Sequence, residues 1–394
     1  MKLKLKKPDN KSVAEYIFIG IIFVIMIILF VSFQSKEYSY HRYETSTTHY
    51  VRGVVTEIVD QQLTMSGTDG EYFTGKQTLK VEILEGDTAG EVVEIDNYVT
   101  VQHNVVVKEG SGVIVCADMP ENAEPYYTIY NYDRNNYIWI LSASFLLLVI
   151  IIGRKKGFMS CLGLIFTLCM VMCYLLPNLY DGNNAVISAI VTVVSGTAVT
   201  CFCISGFSKK TVLNIIGATV GGISAGLIYY IFMTALNISG CSMDEAESLV
   251  LISQSTGLQI KGVLFAGIMI SSLGAVMDVA VSLGASLSEI KELNPEITAK
   301  ELFHSGMNIG RDMIGTMTNT LILAFAGSSL ATLIVLISYG VQFNQLLSSD
   351  YIALEVAKGL AGSASVVLTV PISAAVCAVG YGKHKLKDKK QSKK

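Results

Sequence analysis

The sequence predicts a mostly α-helical, polytopic membrane protein with a small β-rich domain between its first and second membrane spans. Of its 394 residues, 51% are hydrophobic and only 15% are charged, and the mean hydropathy is +0.51. Long apolar segments recur along the chain. This composition excludes an ordinary soluble globular protein. The basic runs lie only at the two termini, beside predicted spans, so no nucleic-acid partner is expected.

The first apolar segment, at residues 16–33, follows a lysine-rich N-terminus and is predicted to be an uncleaved anchor helix. It resembles the apolar core of a signal peptide. However, it is 18 residues long and no small-residue cleavage motif follows it. We therefore assign residues 1–33 to a basic cytoplasmic stretch and the first membrane span.

The polar region at residues 34–136 is predicted to be an extracytoplasmic β-rich domain. Short runs of Val, Ile, Thr and Tyr alternate with period two between turn residues, a pattern typical of antiparallel strands. We expect a small barrel or sandwich, with an OB-like or SH3-like barrel favoured. Residues 36–135 hold 17 acidic against 7 basic side chains. This excess favours a solvated surface over a device that concentrates cations at a pore mouth.

Seven further apolar segments are predicted to form a membrane domain at residues 137–382. A bilayer takes about 20 residues to cross. Lys and Arg collect in alternate connections and in the tail at 383–394, whereas three other connections hold none. The positive-inside rule therefore places both termini in the cytoplasm. The predicted spans are 137–152, 158–176, 185–207, 212–236, 262–287, 314–338 and 352–379, which with the anchor make eight.

Two connections are predicted to contain helices of their own. The inner connection, 288–312, has the pattern of an amphipathic helix, and Thr298 with Glu301 three residues later matches a capping box. The outer connection, 237–260, has a mixed composition that favours a short helix along the outer face.

The cysteines indicate no metal or redox site. Six of the eight lie in apolar segments, and no CxxC motif occurs. Cys116 and Cys241 fall in polar regions that are predicted to lie outside, and whether they pair is left open. No cofactor and no metal ligand set is predicted.

The candidate functional residues are polar groups within the last three spans, where lipid makes such groups costly. Asp278 lies near the middle of its span, on one face with Gly274 and Ser282. The next span opens with Arg311 and Asp312 and then carries several hydroxyl and amide groups. We predict one polar cavity, lined by Asp278, Ser282, Thr316, Asn319, Thr320 and Glu355.

Four residues are predicted to have structural roles or to contact the substrate. Lys358 lies three residues after Glu355 and is predicted to be its ion partner. The other three residues are Arg311 and Asp312, at the start of their span, and Gly274, four residues before Asp278. The alternative is that the polar groups only hold the helices together and line no cavity.

Three stretches resemble the YibE/F family of bacterial multi-span membrane proteins: GAVMDVAVSLGASLSEI, GRDMIGTMTNTLILAFAGSSL and ALEVAKGLAGSASVVLTVPISA. The layout of anchor helix, outer β-rich domain and helical membrane domain is also similar. The resemblance implies this fold and a plasma-membrane location, and it implies no defined activity. The acid in GAVMDVAV and the polar span after it are similar in arrangement to the helix pair with the proton-responsive acid in SecD and related RND-type transporters. By analogy, this arrangement implies a proton-responsive Asp278.

These observations favour a permease or exporter of a small solute or ion, with proton coupling through Asp278 as a hypothesis. The alternative is a non-transporting membrane assembly factor or sensor that uses the outer β domain. An enzyme is not expected, because no HExxH, GxSxG, Walker loop or His/Cys cluster occurs. The expected partners are the lipid bilayer and the solute, with a homo-oligomer or a second membrane subunit left open.

Overall fold

The computed structural model describes residues 10–36, 47–67, 72–120, 124–240 and 246–382, and the chain divides into two compact units. One unit spans residues 41–148, and the other combines residues up to 40 with those from 149 onward. Of the described residues, 68% are helical. The basic terminal runs and Cys241, on which parts of the topology and disulfide predictions rest, lie outside the described residues.

Within its described residues, the first unit contains a single antiparallel sheet of five strands in the order β3-β2-β1-β4-β5. Its long first strand pairs with β4 along its first part and with β2 along its second, and two register shifts bend it between these partners. The sheet therefore curls into a half-barrel, so the predicted β domain is present but is not a closed barrel. The strands are β1 (Thr48–Ser66), β2 (Tyr72–Ile83), β3 (Val92–Val99), β4 (Gly112–Asp118) and β5 (Tyr126–Tyr132).

The inner face of the half-barrel is apolar except for two buried amides. The strands alternate between buried and outward residues, as the period-two pattern predicts. The Gln77 amide donates to the carbonyl of Val107 at 3.0 Å, and the Asn97 amide donates to the carbonyl of Val105 at 2.8 Å. These bonds fix the segment after β3 across the open side of the sheet, because buried amides must find partners.

An ion pair joins the start of the sheet to its end. The Arg52 guanidinium on β1 donates to the Asp133 carboxylate at 2.8 Å, and the side chain of Asp133 is only 9% exposed. This hydrogen bond from Arg52 holds the pKa of Asp133 below its ordinary value.

The stability of this sheet is expected to fall in acid through Asp133. A carboxyl with a lowered folded-state pKa contributes stability that is complete above its unfolded pKa of about 3.9 and is lost as pH falls through the folded value. Asp133→Asn should remove that part of the acid sensitivity. Hydrogen exchange of β1 and β5 between pH 6 and about pH 3 checks this. Equal acid sensitivity in the wild type and in Asp133→Asn would contradict it.

Helix α2 (Asn135–Met170) contains a sharp break between the predicted second and third spans. Arg154 has φ 49° and ψ −132°, which is not helical. A Cβ on Gly157 would overlap the carbonyl oxygen of Val149, eight residues earlier, so the backbone bends back on itself here. Glycine is required at that contact. The first part of α2, up to Leu148, groups with the sheet, so the division between the units falls later than the predicted boundary at 136.

The second unit is a bundle of long helices with apolar outer faces. Many of its exposed side chains are Val, Ile, Leu and Phe, as expected of helices that face lipid. A π-helical turn (Val171–Leu175) joins α2 to α3. The other helices are α1 (Asn10–Gln34), α3 (Leu176–Tyr180), α4 (Ala185–Ser205), α5 (Lys209–Ala235), α6 (Ala246–Thr256), α7 (Ile260–Leu293), α8 (Ala299–Ser328), α9 (Leu330–Ser338), α10 (Phe343–Leu347) and α11 (Asp350–Tyr381).

The predicted count of eight spans is not confirmed. Among the described residues, six helices are long and apolar enough to cross a membrane, or seven if α8 and α9, bent by 54°, cross as one span. One of the six is the 46-residue stretch Asn135–Tyr180. This stretch contains both the second and the third predicted spans, so a division at Arg154 would add one span to that number.

Helix α11 lies at the centre of the bundle and contacts α5, α7 and α8. Small residues allow these helices to approach closely. A Cβ on Gly217 would overlap the Ser373 side chain, and one on Gly221 would overlap Thr369. These two glycines therefore let α5 lie close against α11.

The two predicted connector helices are confirmed in part. The outer one is α6. The inner connector is not a separate helix, because α7 continues to Leu293 and α8 begins at Ala299. The capping box is present: the Glu301 amide donates to the Thr298 hydroxyl at 3.3 Å, and the Thr298 amide donates to the Glu301 carboxylate at 2.9 Å.

Candidate functional site

The candidate site is a groove where α8 ends and α9 begins. The two helices are bent by 54° at Ser329, which is only 4% exposed. The Ser328 hydroxyl donates to the Phe325 carbonyl at 2.7 Å, and the Ser329 hydroxyl lies 3.1 Å from the same oxygen. The Ser328 hydroxyl thus bonds a carbonyl group of the last helical turn, which is a recognised cause of helix bending. The single proton of the Ser329 hydroxyl is shared between the same carbonyl and the Glu355 carboxylate.

An acidic side chain on α11 faces this break. The Glu355 carboxylate accepts a hydrogen bond from the Lys358 ammonium at 2.7 Å and lies 3.1 Å from the Ser329 hydroxyl. The side chains of Glu355 and Lys358 are 17% and 24% exposed. The predicted ion pair is therefore present, and it is connected to the broken helix through Ser329.

The groove beside this pair has a volume of about 240 Å³. Most of its wall is apolar, and Glu355 with Ser329 supplies the polar part. A buried tyrosine lies behind α11: Tyr229 packs in one cluster with Leu354 and Ala357, and its hydroxyl has no partner among the described residues. The groove is lined by Ile322, Phe325, Ala326, Ser329, Leu333, Ile352, Glu355, Val356, Gly359 and Leu360.

The structure places Asp278, Gly274 and Ser282 on an exposed face of α7. No atom comes within 4 Å of a Cβ placed on Gly274, and the Asp278 carboxylate has no hydrogen-bond or ion-pair partner among the described residues. The face of α7 that packs into the bundle is instead apolar, with Val276, Val279, Ala280, Leu283 and Leu287.

The predicted cavity residues of α8 also lie on an exposed face. Thr316 and Thr320 donate to carbonyl groups of their own helix, to Met313 at 3.0 Å and to Thr316 at 2.9 Å. Their hydroxyls are therefore satisfied without a cavity. Asn319 and Asp312 are exposed as well.

The single cavity predicted from the sequence is not confirmed in the described chain. Of its six predicted residues, only Glu355 lines the groove. Arg311 is exposed and donates to Asn308 of its own helix at 3.1 Å. A membrane helix can satisfy a Thr hydroxyl on its own backbone, so a polar position in a span does not by itself require an inward partner.

Sequence reasoning missed Ser329 and Tyr229. A signal for Ser329 was present, because Gly327, Ser328 and Ser329 interrupt an otherwise apolar segment and such runs favour a kink. No comparable signal marks Tyr229, because an aromatic residue inside a span is ordinary.

The described part of the chain shows no arrangement suited to a metal ion. No group of three His, Cys, Asp or Glu side chains is close enough to hold one. None of the seven cysteines within the described ranges forms a disulfide bond.

Comparison with known proteins identifies one family. The family described as YibE/F-like protein matches residues 141–383. This range contains every helix from α4 to α11 and therefore the whole groove, and it excludes the half-barrel. No curated protein and no solved structure gives a match. The family match confirms the resemblance that three sequence stretches in the last spans indicated.

Proposed function

The chain belongs to the YibE/F-like protein family, and from this premise we propose that it is a permease or exporter whose solute path follows the groove at the α8/α9 break. The observation that carries the proposal is a bent span with an acid–base pair at its bend. In lipid, irregular backbone is tolerated only where it is buried in protein or lines a cavity. In many transporters, discontinuous helices of this kind form the substrate site.

The groove favours a small amphipathic solute over a hydrated ion. Its volume of about 240 Å³ lies below the roughly 300–1,000 Å³ of pockets for drug-sized ligands. Glu355 is paired with Lys358, so the polar end of the groove is close to neutral. A solute with an apolar body and one polar group would place that group near Ser329.

The contact between Ser329 and Glu355 supports a gating role for the bend. It joins the broken helix to α11 through a hydrogen bond to a charged group, a type that contributes about 1.5–3 kcal/mol. In our proposal, this bond breaks when the solute passes, and α9 then moves relative to α11.

The location and topology follow from the same proposal. The apolar helices support an integral membrane protein. We place it in the plasma membrane with both termini in the cytoplasm, because Lys and Arg are distributed as the positive-inside rule requires. Eight spans result if Asn135–Tyr180 crosses twice, with its turn at Arg154. Proton coupling through Asp278 stays a prediction from the sequence, since Asp278 does not line the groove.

A solute path makes the groove reachable from water, which cysteine labelling can test. In a variant without the native cysteines, Gly359→Cys is expected to react with small, charged, membrane-impermeant thiol reagents. A Cβ on Gly359 meets only Phe325 atoms at 3.8 Å, so the substitution fits. The matched control is Val367→Cys on α11, whose native side chain is 38% exposed and does not line the groove. It should react only with a lipid-soluble maleimide.

Labelling from each side of the membrane decides the outcome. A path predicts that the charged reagent reaches Gly359→Cys from both sides, in alternating conformations. If Gly359→Cys behaved as Val367→Cys does, and reacted only with the lipid-soluble reagent, the groove would be a contact between helix and lipid and the proposal would fail.

A cleft in the half-barrel supports the second candidate, a sensor or assembly factor. It has a volume of about 360 Å³. Its lining includes Tyr98 on β3 and Tyr130 on β5, which are the two edge strands of the sheet. A ligand in this cleft would protect the Cys116 thiol from alkylation, because Cys116 is part of its lining. A sensor therefore predicts protection of Cys116 by its ligand and no access of charged reagents to Gly359→Cys.

A further inference from the structure

Helix α7 carries a continuous polar and small-residue face that no other described part of the chain covers. Gly267, Ser271, Gly274, Asp278 and Ser282 follow one another at steps of three or four residues, so they share one side of the helix. All five are exposed. No atom lies within 4 Å of a Cβ placed on Gly267 or Gly274. We call these five residues the α7 open face.

The α7 open face is unfavourable in contact with lipid. Asp278 is eighteen residues after the start of a 34-residue helix, near its middle. A charged side chain at the centre of a bilayer costs about 2.5–3.5 kcal/mol on insertion scales. Small residues on one face, by contrast, allow another helix to approach closely. The occupant that suits this face is therefore a helix that also brings a positive charge.

Arg311 on α8 has the complementary charge. It is exposed, and within the described chain its only recorded partner is Asn308, three residues earlier. Like Asp278, it is exposed on the bundle and forms no ion pair within the described chain.

Asp278 and Arg311 also lie at similar depths in the bundle. A Cβ on Gly310, next to Arg311, would meet Val370 of α11. Val370 packs in the same cluster as Val279, which is next to Asp278. The two charges therefore lie at similar depths along the bundle, and the long arginine side chain shortens the remaining distance between them.

We propose that two copies of this chain pack through the α7 open face and that Asp278 of each copy pairs with Arg311 of the partner subunit. A twofold arrangement forms both pairs at once, because residue i then contacts residue j of the partner and the reverse. In the dimer, Asp278 is covered and the charge of Arg311 is paired. The partner subunit fills the open space beside Gly267 and Gly274. The interface involves no residue of the groove, so it does not depend on the transport proposal.

Reversal of the two charges tests the pairing. The full-length protein is placed in liposomes at decreasing protein-to-lipid ratios, and dimers are counted by single-molecule photobleaching. We expect Asp278→Arg and Arg311→Asp each to weaken dimerisation at least about tenfold, an effect equal to about 1.4 kcal/mol. The double variant should regain most of the wild-type dimer. Lys300→Gln, which removes another exposed charge of α8, should leave dimerisation unchanged.

A second variant separates interface loss from misfolding. Gly274→Leu adds a side chain where the single chain has open space, so the thermal stability of the monomer should be retained while the dimer is lost. A wild-type protein that stays monomeric at every density would overturn the proposal. So would a double charge reversal no better than either single variant, or a Gly274→Leu protein with wild-type dimerisation.

Discussion

Lys358→Met is expected to lower the free energy of unfolding by about 3 kcal/mol. The substitution keeps the length of the side chain but leaves the Glu355 carboxylate, only 17% exposed, without its ammonium partner. Breaking a buried ion pair by removing one partner costs about 3–5 kcal/mol. We expect the low end of that range, because Ser329 still contacts Glu355. Thermal unfolding of the purified protein in lipid nanodiscs measures the loss.

The matched control removes both charges. In the double variant Glu355→Gln/Lys358→Met no uncompensated charge remains, so its stability should return to within about 1 kcal/mol of the wild type. Equal losses in the single and double variants would show that Lys358 acts through packing and not through its charge. Full stability of Lys358→Met would show that Glu355 does not depend on its ammonium partner, which would contradict the expected loss.

Gly310→Leu is expected to have the other large effect, a loss of about 3 kcal/mol or failure of the bundle to assemble. Even a Cβ at Gly310 would overlap the Val370 side chain of α11, and α8 contacts α11 more extensively than it contacts any other helix. A branched side chain cannot fit there unless the two helices separate. Overpacking a close helix contact typically costs about 1–3 kcal/mol, and leucine adds three carbons beyond the overlapping one.

Three further variants test whether the loss comes from this contact. Ala324→Leu places the same side chain on the exposed face of α8 and should leave the thermal midpoint unchanged. Gly310→Ala should be mildly destabilising, and the added substitution Val370→Ala should restore stability because it removes the atoms that overlap. If Gly310→Leu were tolerated as well as Ala324→Leu, α8 could not lie against α11 in the register described.

Several features followed directly from the chemistry of the residues. A continuous apolar stretch has to avoid water, so the positions of the membrane helices could be predicted from composition alone. The capping box at Thr298 and Glu301 and the pair of Glu355 with Lys358 are contacts between residues three apart in one helix. Such contacts need no knowledge of the rest of the fold.

The direction in which each helix faces could not be predicted in the same way. In a soluble protein the polar side of a helix faces water, but in lipid both sides of α7 are compatible with a neighbouring helix. We expected the face with Asp278 to turn inward, whereas the structure packs the Val276 and Leu283 side into the bundle. Which side of α7 faces the bundle depends on how its shape fits α5 and α11. The sequence of α7 alone does not contain that information.

The sequence by itself therefore determined that this is a membrane protein of the YibE/F-like family with a β-rich domain after its first helix, because burial of apolar surface is a property of composition. Only the tertiary structure decided that the sheet stays a half-barrel, that α8 breaks at Ser329, and that Glu355 faces this break while Asp278 does not. Each of these depends on contacts between segments far apart in the chain. Residues 329 and 355 are brought within hydrogen-bond distance only when α8 and α11 pack together, and no local pattern encodes that meeting.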